Sequence, residues 1–223
     1  PEDVVVVGDF VYVRTGNNLR KISKKGYSID ETLIGMSGQN TTDGYTGQFI
    51  YLTGFFYWPT QNENRSILKI SISDFSDKTT LTGDNGNGIV DGNSSTAQFR
   101  QPYGIATDGT HLYVSTTTAI RKVTLSGDVT TLVGSTSAST ENGDVDGIGT
   151  VVRLGSANKQ LAYHDGYIYI NDRSYKKIKK LNLSTNEVTT IITQSANIYG
   201  IEIIKTKIYI ATSTYSIYRY DMD

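Results

Sequence analysis

The chain is 223 residues long, enough for one large domain or two small ones, and its 22 Gly, 16 Tyr and only 3 Pro favour β-branched and aromatic strands separated by tight turns. Lys and Arg total 21 against 22 Asp and Glu, so the net charge of -1 excludes a general electrostatic pull toward nucleic acid or anionic lipid. The absence of cysteine excludes a disulfide framework and thiolate chemistry, and no apolar run approaches the roughly 20 residues that span a bilayer, so direct membrane insertion is not expected.

Five copies of one pattern follow in chain order. The first, over about residues 4–35, has an apolar run Val4–Val7, a turn at Gly8 and Asp9, a strand Phe10–Val13 centred on Tyr12, the polar loop Arg14–Asn18, the run Leu19–Ile22 and a further strand Ser28–Ile34. The second, about 36–83, repeats this as Phe49–Leu52, a Thr53–Gly54 turn, Phe56–Trp58 around Tyr57, the loop from Trp58 to Arg65, Leu68–Ile70 and Thr79–Thr82. The third, about 84–134, runs Gly104–Ala106, Asp108–Gly109, Leu112–Val114 around Tyr113, Ile120–Val123 and Val129–Val133. The fourth, about 135–193, runs Leu161–Tyr163, Asp165–Gly166, Ile168–Ile170 around Tyr169, Ile178–Leu181 and Val188–Ile192. The fifth, about 194–223, has Ile201–Ile204, Lys205–Thr206, Ile208–Ile210 around Tyr209 and Ile217–Tyr220, with no outer strand. Gly and Asp between such runs supply the positive φ that tight hairpins demand.

Four antiparallel strands in each period of about 40–55 residues is the arithmetic of a propeller blade. One blade cannot bury both faces and must stack on neighbours around a ring. The expected fold is therefore all-β, a single β-propeller domain over 1–223 with five four-stranded blades, the last incomplete: either that blade is three-stranded or the chain is a fragment of a longer propeller protein, and the second is the preferred reading. The central tyrosines are expected in the inter-blade core, because sustained period-2 patterning reports burial. A sandwich would explain alternating strands but not five copies of one ordered motif.

The segment containing Asp91, Gly92, Ala97, Phe99, Pro102, Gly104, Ile105, Ala106, Asp108 and Gly109, continuing through Leu112–Val114, Ile120–Val123 and Gly127–Gly134, resembles the NHL repeat. The likeness is strong over 84–134, moderate over 135–193 and weak at the ends. The fourth copy keeps Asp146 and Gly147 but has Leu154, Gly155 and Ala157–Lys159 where the family has an aromatic and a proline. The resemblance implies a propeller, commonly of six blades. It also brings in propellers that are metal-dependent lyases, hydrolases or lactonases, with histidines and carboxylates around the channel mouth, and others that bind RNA through a basic face.

In a blade, the second-to-third loops and the inter-blade loops emerge on one face. The long inter-blade stretches around 36–47, 84–102 and 135–158 make that face the better candidate for binding, because long irregular loops are uncommon unless functional or mobile. Aromatic and Arg side chains combine contact area with directed hydrogen bonding, which nominates Trp58, Arg65, Tyr103, Arg173 and Tyr175, with Arg14, Tyr199 and Tyr215 beside them. Trp58 has a second reading, as an amphipathic plug closing a strand end against Pro59.

The Asp-Gly pairs at 43, 91 and 146 suggest calcium, yet the alternating acidic spacing of a calcium loop is missing, and turns in which Asp satisfies nearby backbone amides fit their recurrence better. The basic run Lys176–Lys180 reads as a solvated strand, so no nucleic-acid partner is expected. His111 and His164 both fall in first-to-second turns on the opposite face and supply neither a three-ligand metal set nor an oriented general base. No catalytic residue, metal ligand or cofactor-binding signature is identified. The expected function is a non-enzymatic recognition module of an exported or cell-surface bacterial protein that binds a protein or glycan. The competing class is a metal-dependent lyase or lactonase-like enzyme.

Overall fold

The computed structural model describes residues 3–15, 18–25, 29–35, 47–61, 65–83, 86–136, 141–157 and 159–222. Blade 1 comprises β1 (Asp3–Val7), β2 (Phe10–Thr15), β3 (Asn18–Ser23) and β4 (Ile29–Gly35). Blade 2 has β5 (Ile50–Leu52), β6 (Phe55–Pro59), β7 (Ile67–Ser71) and β8 (Lys78–Thr82), and blade 3 has β9 (Ile105–Thr107), β10 (His111–Ser115), β11 (Ala119–Thr124) and β12 (Val129–Gly134). Blade 4 contains β13 (Gly147–Ile148), β14 (Gln160–His164), β15 (Tyr167–Asp172), β16 (Lys177–Asn182) and β17 (Glu187–Thr193); blade 5 contains β18 (Ile198–Ile204), β19 (Lys207–Thr212) and β20 (Ile217–Asp221). Every pairing is antiparallel between sequence neighbours except that β13 lies outside β17, so the sheets have four, four, four, five and three strands. The five sheets form a ring, a five-bladed β-propeller.

The hairpins follow from their turn residues. Both central positions of the Thr53–Gly54 and Asp165–Gly166 turns have positive φ, the twist that matches paired strands. A register shift recurs where the third strand meets the fourth, at Leu19/Arg20, Ile67/Leu68, Ile120/Arg121 and Ile178/Lys179, so in blades 1 to 4 the residue after the shift holds an equivalent position.

The core lies between blades. Tyr12 packs with Phe49, Phe56 and Trp58; Tyr57 with Phe99, Ile105 and Leu112; Tyr113 with Leu154, Leu161 and Ile168; Tyr169 with Ile198, Ile201 and Ile208. Each of these four tyrosines thus faces the following blade, and each buried aliphatic at these junctions contributes about 1.5–3 kcal/mol. Among the described residues no such cluster joins blade 5 to blade 1.

The inter-blade loops before blades 3 and 4 cross the outer edge of the next blade before turning inward. Gly92 pairs with Val129 of β12, and Gly147 with Val188 of β17. The carboxylate of Asp91 accepts hydrogen bonds from Thr131 N (3.0 Å), Thr131 Oγ1 (2.8 Å) and Arg121 (2.7 Å). Asp146 does the same with Thr190 N (2.6 Å), Thr190 Oγ1 (3.0 Å) and Lys179 Nζ (2.6 Å). These aspartates therefore reach a cation and a threonine of two other strands, where the sequence suggested local amides. Asp43 and Gly44, the third such pair, lie outside the described residues. Arg121 and Lys179 are fully buried, so the Lys176–Lys180 run is not wholly a solvated strand. Burial pulls the Lys179 ammonium down, but Asp144 and Asp146 together carry it above its ordinary value; with Asp91 alone beside it, Arg121 stays below.

Candidate functional site

The inner strands of all five blades line a central cavity of about 250 Å³, bounded among others by Asp3, Gln48, Ile105, Leu161 and Glu202. Gln48, just before β5, is one of the lining residues. Its side chain donates to Leu161 O (3.1 Å) and accepts from Leu161 N (2.7 Å), while its backbone N–H donates to Tyr103 O (3.1 Å). One amide thereby ties blade 2 to blade 4 across the inner end of blade 3. Asp3 accepts from Phe49 N (2.7 Å); burial pushes its carboxyl up to about 6, against the pull of that hydrogen bond and of Arg14. Burial also raises the Glu202 carboxyl.

The nominated residues divide into two groups. Trp58 is 5% exposed, stacked on Phe49 with centroids 5.6 Å apart, and the buried Arg14 guanidinium lies 4.7 Å over its ring while donating to Gly47 O. Both are thus packed between blades 1 and 2, the plug reading of Trp58, with little surface left to offer a ligand. Arg65 is half-buried at positive φ beside Ser66, and Tyr103 is half-buried, its backbone bonded to Ser115 and Gln48.

The other four stand out from the loop face at blades 4 and 5. The Arg173 guanidinium lies 4.8 Å over the ring of Tyr199, which is 52% exposed. Tyr175, in the same loop as Arg173, is exposed, and Tyr215 in the β19–β20 loop is fully so. Beneath them the strand end is fixed by polar contacts. Asn171 Nδ2 donates to Ile198 O (3.2 Å), and Asp172 accepts from Gly155 N (2.9 Å). Lys159 donates to the carbonyls of Thr116, Thr117 and Ala157; burial pulls its ammonium down to about 8 while Asp172 opposes the shift. Gln160 Oε1, Asn171 Oδ1 and Asp172 Oδ1 are buried acceptors with no hydrogen-bond partner among the described residues. The arrangement offers a rigid polar platform carrying an Arg-aromatic stack, suited to contact with a partner surface.

On the opposite face, His111 Nδ1 sits 2.9 Å from Thr110 Oγ1 and 3.4 Å from Asp108 Oδ2. Burial pushes the Asp108 carboxyl up, but hydrogen bonds from His111 N, Thr110 and Tyr113 hold it well below the usual range. The network closes the β9–β10 turn. His164 ends β14, on the next blade. Among the described residues no group of three or more His, Asp or Glu is placed to hold a metal ion.

No family model matches the chain, and no curated protein matches it. Solved structures do. A structure from a nidogen–laminin complex is similar over 99% of this chain and 75% of its own, with a TM-score of 0.69 and 13% identity. A Bacteroides thetaiotaomicron protein of unknown function matches over 83% of this chain at TM-score 0.62 and 18% identity, and the chain spans 45% of that protein's length. A catalytically inactive variant of virginiamycin B lyase from Staphylococcus aureus, solved with quinupristin, matches over 97% of this chain and 78% of its own, at TM-score 0.56 and 20% identity. A protein in a protein–protein complex and an enzyme thus share one architecture with this chain, and what the likeness shows is that architecture: a β-propeller.

Proposed function

We propose that the chain is a non-enzymatic recognition module of NHL-like repeats that binds a protein ligand through the loop face of blades 4 and 5. The observation that carries this reading is the exposed stack of Arg173 on Tyr199, flanked by Tyr175 and Tyr215. Exposed aromatics are costly in water, and an Arg fixed over one of them has already lost part of the conformational entropy that binding would demand. The match to a structure from a nidogen–laminin complex is in keeping with protein recognition by this architecture. A glycan is the alternative ligand for the same platform, and an extracellular or cell-surface setting suits its Asn-, Thr-, Ser- and Tyr-rich composition.

The test screens the chain against protein and glycan arrays and remeasures every hit with Arg173→Ala and Tyr199→Ala. Loss of about 1–4 kcal/mol of affinity in either variant is expected. Hits that survive both substitutions but vanish with His111→Ala or His164→Ala would place the binding surface on the opposite face and end the proposal.

A further inference from the structure

The junction between blades 5 and 1 differs from the other four. Val4 pairs with Val13 where Ile105, Leu161 and Ile201 pair with Val114, Ile170 and Ile210 in blades 3 to 5. Those three counterparts are 1%, 2% and 7% exposed, whereas Val4 is 54% exposed, and Val6 beyond it is equally bare. On the other wall, Ile204 and Ile217 lie on the side of blade 5 that carries Tyr209, away from blade 4, and both are exposed. Sheet faces of this kind are stable only when stacked on a neighbouring sheet.

A second, independent feature specifies what the seam takes. Arg121 stands opposite Thr131 just after a bulge, and Lys179 opposite Thr190 just after an equivalent bulge. Each buried cation is held by the aspartate of an Asp-Gly pair on the loop that leaves the preceding blade. Blade 1 repeats the receptor: Arg20 stands opposite Thr32 with a register shift on either side of it. Arg20 is exposed, and it projects from the face that looks away from blade 2, the same face as Val4 and Val6.

We infer that the seam between blades 5 and 1 takes one further blade of the same repeat, whose exit loop crosses the outer edge of blade 1 and brings an aspartate to Arg20. Its apolar faces cover Val4 and Val6 on one side and Ile204 and Ile217 on the other, while the aspartate supplies the charge complementary to Arg20. This chain accounts for 75% and 78% of the length of two of the matched structures.

The chain has no cysteine, so thiols introduced at the seam report on it without background. Val4→Cys and Val6→Cys are each made in the chain as it stands and in a fusion carrying a copy of residues 50–103 ahead of Pro1, and labelling by a water-soluble maleimide is timed. Both thiols are expected to label at least tenfold more slowly in the fusion. Changing the copied aspartate of position 91 to Asn, or Arg20→Ala, is expected to restore fast labelling and lower the melting temperature of the fusion, while Arg20→Ala leaves the melting temperature of the unfused chain unchanged. Equal labelling in both proteins would overturn the inference, as would an Arg20→Ala effect of the same size in both. Slow labelling of the unfused chain that strengthens with protein concentration, with a dimer in light scattering, would assign the seam to a second copy instead.

Discussion

Asp91→Ala removes three hydrogen bonds at once and leaves a fully buried guanidinium without its carboxylate. Breaking one partner out of a buried ion pair costs about 3–5 kcal/mol when the remaining charge is sealed from water. Two observations lower that figure here. The Asp91 side chain is 45% exposed, so part of its field is already screened, and Arg121 keeps two carbonyl acceptors, Gln98 O at 3.0 Å and Val90 O at 2.8 Å. The expected loss is therefore about 2–3 kcal/mol, or about 4–12 °C in melting temperature for a chain of this size. Arg121→Met, which keeps volume against Phe99 and removes the charge, should cost less than about 2 kcal/mol, because Asp91 then retains the two donors of Thr131 and its contact with water. Urea unfolding of the two single variants and the double variant gives the coupling, which should exceed about 1 kcal/mol. Strict additivity, or an Asp91→Ala loss under about 0.5 kcal/mol, would show that the loop is held by its backbone pairing to Val129 and not by the carboxylate.

Asp3 gives stability a pH dependence of its own. The folded chain keeps its proton to about pH 6 whereas the unfolded chain releases it near 3.8, so this group's contribution is complete below about pH 4 and is lost as pH rises to about 6. Asp3→Asn should consequently gain about 1–3 kcal/mol at pH 7 and nothing below pH 4 in denaturation curves taken across that range, and a constant difference would refute the assignment. Gly104→Ala should cost at least about 2 kcal/mol, since the added Cβ would stand 2.1 Å from the carbonyl oxygen of Lys159, whereas Gly109→Ala, with open space but φ of +91°, should cost only about 1 kcal/mol. Chemical denaturation of the pair separates backbone crowding from turn strain, and equal losses would refute the distinction.

The tyrosine-centred strands, their hairpin partners and the outer strands at 79–82, 129–133 and 188–192 were legible because period-2 patterning and turn residues are local signals. The destinations of Asp91 and Asp146 were not. Their partners lie 30 to 44 residues further along the chain and on two other strands, a distance over which sequence gives no register. The same limit hid β13, whose Gly147 and Ile148 read as loop until the outer edge of blade 4 pairs them. Trp58 and Arg14 show a different limit: an aromatic and an arginine at a strand end suit a ligand site and a buried stack equally well by residue type. Only the placement of Phe49 and Gly47 beside them decides for packing.

Tyr103 and Tyr199 isolate what makes one part of the loop face available. Each directly precedes a glycine, Gly104 or Gly200, at the head of an inner strand, and each of those glycines stands opposite the end of the second strand, near Ser115 and Ala211. Yet Tyr103 is half-buried and Tyr199 is 52% exposed. The connections leading to them differ: the chain reaches Tyr103 through a long loop that runs along blade 3, with Val90 paired to Gln98, while β17 passes to β18 through residues 194–197 alone. A connection that short has no chain to spare for covering the strand head, so the ring of Tyr199 meets solvent on one side and Arg173 on the other. The exposed platform at blades 4 and 5 is thus a consequence of loop length in a repeat whose inner geometry is otherwise kept, and a longer connection there would bury it without altering any blade.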